Sequence, residues 1–242
     1  MPSALKYPFF GNWLSITYHH LLDKVFCFKI FGLRGGSSAG RAPEWHSGGR
    51  GFKSPPLHSL ISRKLFHLLS IILIFPVLFL NDNYRIAFSI SFLIIVLVID
   101  ILRLKNKNFG KFFLSIFRGI LKKNEINDWT GATYLAISYA LINILFEKEI
   151  VVFSLIILAI CDPVAAIFGT YIKPNIRIYK KSINGLIGFY ISGIILSLIL
   201  FNNISLFSKI LAVLISGIVE IFTPIDDNLS VPLTTAFVLK FI

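Results

Sequence analysis

From Leu65 to its end, the chain consists largely of apolar runs about as long as a lipid bilayer is thick. A helix needs roughly 17–25 apolar residues to cross the hydrocarbon layer. The sequence is 55% hydrophobic, and its mean hydropathy of +0.77 is far above that of a water-soluble domain of 242 residues. We therefore predict an all-α, polytopic transmembrane bundle of about six to seven spans. The predicted spans are 65–80, 84–102, 131–147, 150–172, 184–201 and 206–223, with a shorter apolar helix over 229–242 and an amphipathic interfacial helix over 109–123.

The first 58 residues are a different kind of sequence. The stretch 32–58 is rich in Gly, Ser, Arg and Pro and has no apolar periodicity, as in a flexible tail. Within it, "SSAGRA" (37–42) and "GFKS" (51–54) can be encoded by codons that match the D arm and the T arm of a tRNA gene. We predict that 1–58 is a disordered or non-functional extension produced by a start codon placed too early. Residues 59–242 are the predicted functional membrane domain.

The net charge of +12 does not indicate a nucleic-acid partner, because the basic residues lie in short segments between the apolar runs. Lys and Arg beside membrane spans mark the cytoplasmic side. Alternate loops are basic, with Arg103, Lys105, Lys107, Lys111, Arg118, Lys122 and Lys123 before the third span and Lys173, Arg177, Lys180 and Lys181 before the fifth. We predict a multi-pass protein of a bacterial inner membrane whose basic loops face the cytoplasm.

One carboxylate lies inside an apolar run. The stretch "LIILAICDPVAAIFGTYI" (155–172) contains Asp162, and an ionised carboxylate at the centre of a bilayer costs at least ~2.5–3.5 kcal/mol. The predicted topology places Asp162 near the cytoplasmic end of its span. Other unusual polar residues are predicted at the same end, namely His67, Glu125, Thr133, Lys181, Ser182, Glu220, Asp226, Asp227 and Asn228. Ionisable residues gathered at one face of a bundle indicate a site.

The residue types at this face suit a metal and phosphates. Asp162, Asp226 and Asp227 offer carboxylate oxygens with few nearby His or Cys residues, which favours a hard cation such as Mg²⁺. Ser182 is a predicted helix N-cap, where free backbone N–H groups attract an anion. The basic residues that could hold phosphate oxygens are Arg63, Lys64, Lys180 and Lys181. This combination at a membrane surface is typical of phosphoryl or nucleotidyl transfer to a lipid.

Five motifs, in this order, resemble the family of CTP-dependent lipid kinases, which includes dolichol kinase, phytol kinase and yeast-type diacylglycerol kinase. They are "RKLFH" (63–67), Glu125 with "TGATY" (130–134), "CDPVAAIFG" (161–169), "KKSINGLIGF" (180–189) and "VEIFTPIDDNLSVPL" (219–233). The resemblance covers about residues 60–240. It implies a transferase that moves the terminal phosphate of CTP, or of another nucleoside triphosphate, to the hydroxyl of a polyprenol, phytol or diacylglycerol, with Mg²⁺ or another divalent cation.

The resemblance also implies roles for individual residues. The expected catalytic residues are Asp162, Asp227 and His67, with Asp162 or Asp227 as the general base for the lipid hydroxyl. The expected metal ligands are Asp162, Asp226 and Asp227. The expected nucleotide and phosphate ligands are Arg63, Lys64, Lys181, Ser182 and Asn228. Further expected site residues are Glu125, Thr133 and Glu220.

Two other functions stay open at the level of sequence. A phosphatidate cytidylyltransferase uses the same nucleotide and metal but leaves CMP on the lipid. A membrane transporter with no enzymatic activity also has buried ionisable residues. The expected partners are a membrane lipid and a nucleotide, and no oligomeric state is predicted.

Overall fold

The computed structural model describes residues 67–122, 124–174, 176–178 and 181–242, and these are mostly helical. The predicted extension 1–58 and the predicted phosphate ligands Arg63, Lys64 and Lys180 lie outside the described residues. The helices are α1 (Ile74–Phe79), α2 (Asp82–Lys105), α3 (Lys107–Phe117), α4 (Gly131–Leu145), α5 (Lys148–Ile156), α6 (Asp162–Tyr171), α7 (Ile183–Ile199), α8 (Leu206–Phe222) and α9 (Asp227–Phe241). Two 3₁₀ turns, Ser70–Leu73 and Asn124–Ile126, precede α1 and α4, and the strands β1 (Arg177–Ile178) and β2 (Lys181–Ser182) precede α7.

Local sequence chemistry sets several helix starts. The Asn106 side chain accepts hydrogen bonds from the backbone N–H groups of residues 108 and 109 and so begins α3. Ser182 caps α7, as predicted, and Asp226 caps α9. The C-terminal end of α2 is also set locally, because Arg103 and Lys105 lie in its last turn, where positive charge complements the helix dipole.

Among the residues that the structure describes, two helices are long and apolar enough to cross a membrane. One is α2, and the other is the continuous helix Lys148–Tyr171 that contains α5 and α6. Three shorter apolar helices accompany them in the described part of the chain, over His67–Phe79, Gly131–Leu145 and Ile183–Ile199. The described residues of every predicted span fall largely on helices, but the count of six to seven spans stays a prediction.

The helix Lys148–Tyr171 is the centre of the bundle, whereas α2 lies at its edge. Val151, Phe153 and Leu158 of the central helix are completely buried. α9 packs against α4, α5 and α8, and α7 packs against both α6 and α8. The contact between α6 and α7 is close because Gly185 lacks a side chain, and a Cβ there would lie 2.9 Å from the Ala165 carbonyl oxygen. This packing brings the start of α7 to the side of α6.

A π turn, Ile157–Cys161, joins α5 to α6 directly before Asp162. A π turn accommodates one extra residue within an otherwise α-helical segment, and such turns are frequent at functional sites. Four of its five residues are buried, so apolar packing holds it. Asp162 therefore begins the α-helical part that follows a defined irregularity.

The structure departs from the predicted elements in three places. β1 and β2 form a short antiparallel hairpin that the all-α prediction lacked. The predicted interfacial helix 109–123 is shorter, because α3 ends at Phe117 and Gly119 follows in a turn. The predicted short helix 229–242 begins two residues earlier, since Asp226 supplies its cap, and it packs into the core through buried Val231 and Ala236.

Candidate functional site

Four segments bring charged side chains to a cleft of about 310 Å³, which we call the polar cleft. Asp162 comes from the start of α6, Lys181 from β2, Glu220 from the last turn of α8 and Asp227 from the first residue of α9. One oxygen from each of the three carboxylates lies within 4.8 Å of the others. The Lys181 Nζ donates to Glu220 Oε1 at 2.9 Å and to Asp227 Oδ2 at 2.6 Å. Three acids thus surround one ammonium group.

The charges of the polar cleft suit a divalent cation. Burial disfavours the ammonium form of Lys181, but the carboxylates of Asp227, Glu220 and Asp162 outweigh this and raise the pKa of Lys181 above its ordinary value. Lys181 is therefore positively charged and lies among three carboxyl groups. The ligand atoms are all carboxylate oxygens, which suit Mg²⁺ better than a soft metal. The residues that fit such an ion are Asp162, Glu220 and Asp227.

The start of α7 and the hairpin form another wall of the polar cleft. Ser182 lines the cleft, and its Oγ accepts a hydrogen bond from the Gly185 N–H at 3.4 Å. Arg177 of β1 also lines the cleft. In the sequence Arg177 indicated only topology, because nothing there predicts a hairpin that returns it toward Lys181.

A second cavity, of about 270 Å³, lies beside the first, and we call it the apolar pocket. Most of its lining is hydrophobic, from Val96, Ile99, Phe113, Phe117, Ile120, Leu121, Ala132 and Leu135. Its polar lining residues are His67, Asp100, Lys122, Glu125, Thr130 and Asn228. The sequence predicted polar site residues at this face but gave no indication of a separate apolar cavity.

Two pairs of residues connect the polar cleft to the apolar pocket. His67 lines the apolar pocket, and its Nδ1 lies 3.5 Å from Oδ2 of Asp162, which lines the polar cleft. Asp227 lines the polar cleft, while the next residue, Asn228, lines the apolar pocket. These side chains therefore form the boundary between a molecule bound in one cavity and a molecule bound in the other.

Asp226 lies on the apolar-pocket side, away from the three clustered acids. Its Oδ2 accepts from the Lys122 Nζ at 2.5 Å, and its Oδ1 accepts from the Asn228 Nδ2 at 2.7 Å. Burial raises the pKa of Asp226, but the charge and hydrogen bond of Lys122, with the hydrogen bonds from Asn228, lower it below its ordinary value. Glu125 accepts from the Lys122 backbone N–H at 2.9 Å. Asp226 therefore pairs with Lys122, whereas the adjacent Asp227 pairs with Lys181.

A proline fixes the backbone that carries these residues. Pro232 in α9 has no N–H, so it cannot donate to the carbonyl of Asn228, four residues earlier. The Ser138 hydroxyl of α4 donates to that carbonyl at 2.7 Å instead. This hydrogen bond ties the start of α9 to α4 where the two cavities meet.

An ion pair that sequence reasoning missed holds the segment that carries Glu125. Arg103 Nε donates to Asp100 Oδ1 at 2.8 Å, and its other nitrogens donate to the backbone carbonyls of Glu125, Ile126 and Asp128. Both members of the pair are buried. The sequence does contain a signal for this ion pair, because Asp100 and Arg103 are three residues apart on a helix, at the end of an apolar run.

The same network contains Thr133. Its hydroxyl donates to Asp100 Oδ2, which also accepts from the backbone and side chain of Thr130. Thr133 lines neither cavity. The structure therefore brings most of the described predicted site residues to the two cavities, but Asp226 and Thr133 line neither of them, and Thr133 supports a loop next to them.

Three relatives show what the chain is similar to. It is 32% identical to the "Uncharacterized protein RP860" of Rickettsia prowazekii over 185 residues, which are 71% of this chain and 89% of that protein. It is 28% identical to the "Uncharacterized protein MJ1137" of Methanocaldococcus jannaschii over 187 residues, 74% of this chain and 92% of that protein. It is 25% identical to the "CTP-dependent diacylglycerol kinase 1" of Schizosaccharomyces pombe over 161 residues, 59% of this chain and 74% of that protein. No protein-family model and no solved structure matches the chain.

Proposed function

We propose that this chain, which belongs to the same protein family as RP860 of Rickettsia prowazekii, is a multi-pass membrane transferase that moves the terminal phosphate of CTP to the hydroxyl of a lipid alcohol. The observation that carries the proposal is the polar cleft, where three buried or half-buried acids surround Lys181 at the ends of apolar helices. The distant similarity to a CTP-dependent diacylglycerol kinase supports a lipid kinase and a CTP donor. The basic loops on the same side support a cytoplasmic orientation of the cleft.

Each group in the polar cleft has a task in such a reaction. The lipid hydroxyl oxygen attacks the terminal phosphorus, the bond from that phosphorus to the bridging oxygen breaks, and CDP leaves. The hydroxyl proton moves to the His67 imidazole, and the Asp162 carboxylate 3.5 Å from its Nδ1 stabilises the resulting positive charge. Lys181, with Ser182 and Arg177 on the same wall, offers positive charge and hydrogen bonds to phosphate oxygens.

A divalent cation is expected with the nucleotide. Asp162, Glu220 and Asp227 would hold it, and it would neutralise charge on the phosphates. In this proposal Asp226 and Asn228 stabilise the start of α9 beside the phosphates instead of binding the metal. Glu125 and Lys122 belong to the acceptor side of the site.

The direct test supplies the full chain, in membranes, with Mg²⁺ and CTP labelled at either the α- or the γ-phosphate. The lipid panel is phytol, a polyprenol, diacylglycerol and phosphatidate. Label that reaches an alcohol only from the γ-position is the expected result. Label that reaches phosphatidate only from the α-position would instead show a cytidylyltransferase, and no label from either position would refute CTP-dependent transfer.

A matched pair of substitutions connects the activity to the cleft. Asp162→Asn keeps the size of a buried side chain but removes its charge beside His67, and we expect kcat to fall by about 10²-fold or more. Asp82→Asn makes the same change in an exposed carboxylate, which also lies 3.5 Å from its basic partner, Arg85. Asp82→Asn should leave kcat within twofold of wild type. Equal rates for Asp162→Asn and wild type would refute the assignment of the cleft.

A further inference from the structure

We infer that the apolar pocket is the acceptor site, which binds the first part of the hydrocarbon chain of the lipid alcohol and holds the hydroxyl at His67 and Asn228. The inference rests on the proposed function, which requires a lipid hydroxyl next to the polar cleft. It assigns that acceptor to residues of α2 and α3, which lie outside the sequence motifs, together with the start of α4, which the motif "TGATY" (130–134) includes.

The lining of the pocket suits a hydrocarbon chain. Val96 comes from α2, Phe113 and Phe117 from α3, and Leu135 from α4. The rings of Phe113 and Phe117 pack with centroids 4.7 Å apart, and the Arg103 guanidinium lies 5.5 Å from the centre of the Phe113 ring. The wall is therefore apolar and fixed in place. Its volume of about 270 Å³ is just below the usual range for ligand pockets, so it takes the chain near the hydroxyl and leaves the rest of the lipid outside.

The polar groups of the pocket lie toward the polar cleft. His67 is paired with Asp162, and Asn228 follows Asp227 in the chain, so both mark the boundary between the cavities. The other polar lining residues belong to contacts away from this boundary, because the Lys122 side chain contacts Asp226 and Glu125 and Asp100 accepts hydrogen bonds from Thr130, Thr133 and Arg103. An alcohol whose hydroxyl lies at His67 and Asn228, the polar lining residues next to the cleft residues Asp162 and Asp227, would therefore direct that hydroxyl toward the terminal phosphate.

The helix α3 connects the pocket to an apolar exterior. Phe112 and Ile116 of α3 are 62% and 57% exposed, whereas Phe113 and Phe117 of the same helix line the pocket. Exposed apolar surface of this kind is compatible with contact with lipid chains. A chain held by Phe113 and Phe117 can thus continue into the bilayer past α3.

Photolabelling tests the acceptor site without requiring turnover. The full-length protein in nanodiscs is irradiated with hexadecanol that carries a diazirine near its hydroxyl end, and the labelled peptides are mapped. We expect label on the segments 113–121 and 131–135 and competition by whichever of phytol, a polyprenol or diacylglycerol is the acceptor. Label confined to the exposed face of α2, or label that none of these alcohols displaces, would overturn the assignment.

One substitution fills the pocket, and a second makes the same change elsewhere. Ala132→Phe adds a ring to a residue that lines the pocket, while Ala87→Phe adds it to an exposed position of α2. We expect Ala132→Phe to reduce labelling at least tenfold and to raise the KM for the lipid at least tenfold, with the KM for CTP within twofold. Ala87→Phe should change neither labelling nor KM. If Ala132→Phe does not fold, Ala132→Leu serves with a smaller expected effect.

The two proposals fail in different ways. Pocket labelling that Ala132→Phe abolishes, in a protein that transfers no phosphate, would uphold the lipid site and refute the kinase. Phosphate transfer whose lipid KM is unchanged by Ala132→Phe would uphold the kinase and refute the acceptor site.

Discussion

Replacing Arg103 with Ala is expected to destabilise the bundle by about 3–5 kcal/mol, the range for breaking a buried ion pair by removing one partner. Arg103 is 5% exposed, and its partner Asp100 is 1% exposed. Without the guanidinium, Asp100 keeps its charge in the protein interior and retains only hydroxyl and amide donors from Thr130 and Thr133. The three backbone carbonyls that accept hydrogen bonds from Arg103 lie in a partly exposed segment. In Arg103→Ala, water can replace part of these hydrogen bonds.

A thiol-reactive fluorophore measures this loss. Cys161 is completely buried and reacts only on unfolding, provided that the second cysteine of the chain, Cys27, is first replaced by Ser. At roughly 2–4 °C per kcal/mol for a chain of this size, the Tm of Arg103→Ala should fall by roughly 6–20 °C. Arg118→Ala, at an exposed position after α3, is the control and should shift Tm by less than about 2 °C, as surface substitutions do.

The double variant Asp100→Ala/Arg103→Ala distinguishes two causes of the lost stability, namely the unpaired Asp100 carboxylate and the lost packing of the Arg103 side chain. If the unpaired carboxylate causes the effect, the double variant will lose less stability than the sum of the two single variants, by about 1 kcal/mol or more. Strict additivity would refute the reasoning, as would a Tm for Arg103→Ala within about 2 °C of wild type.

Two further predictions concern packing and pH. Gly193→Ala places a Cβ 2.4 Å from Val213 Cγ1, so we expect the free energy of unfolding to fall by about 1–3 kcal/mol in the same thermal assay. Adding Val213→Ala to this variant should restore part of the lost stability. No change in Tm for Gly193→Ala would contradict the close packing. Burial raises the pKa of Asp226, but the charge of Lys122 outweighs burial and lowers that pKa. The ion pair therefore stabilises the fold fully above the unfolded pKa of Asp226, about 3.9. This stabilisation is lost as the pH falls through the lower pKa of the folded state. The Tm difference between wild type and Asp226→Asn should therefore shrink between pH 5 and pH 2.5, and a difference that is constant over this range would contradict the ion pair.

The helices could be predicted from sequence because apolar run length and caps are local signals. The run that became α8 was placed within one residue, and Ser182 was recognised as a cap. The hairpin was not predicted, since two-residue strands leave no periodic pattern. The interfacial helix was predicted too long because its apolar spacing continues past the turn at Gly119, where the structure leaves the helix.

For the candidate site, the sequence indicated which residue types come together better than it indicated which of them are neighbours in space. Asp162 was identified because a charge in an apolar run requires a partner. Which neighbours supply that partner depends on helix packing, and sequence adjacency was a poor guide, since Asp226 and Asp227 face different lysines. Glu220 was included only as a further polar residue, yet it lies with Asp162 in the acid cluster.

The π turn before Asp162 has a consequence for how this chain tolerates changes in length. Successive residues of an α-helix are rotated by about 100° around its axis, because a turn holds about 3.6 residues. Because the π turn Ile157–Cys161 already holds one residue more than a regular α-helix needs, deleting one residue there would restore an α-helix and leave the Asp162 carboxylate facing Lys181. The same deletion within α6 has no extra residue to absorb it, and it would rotate Asp162 by about 100° relative to the rest of that helix.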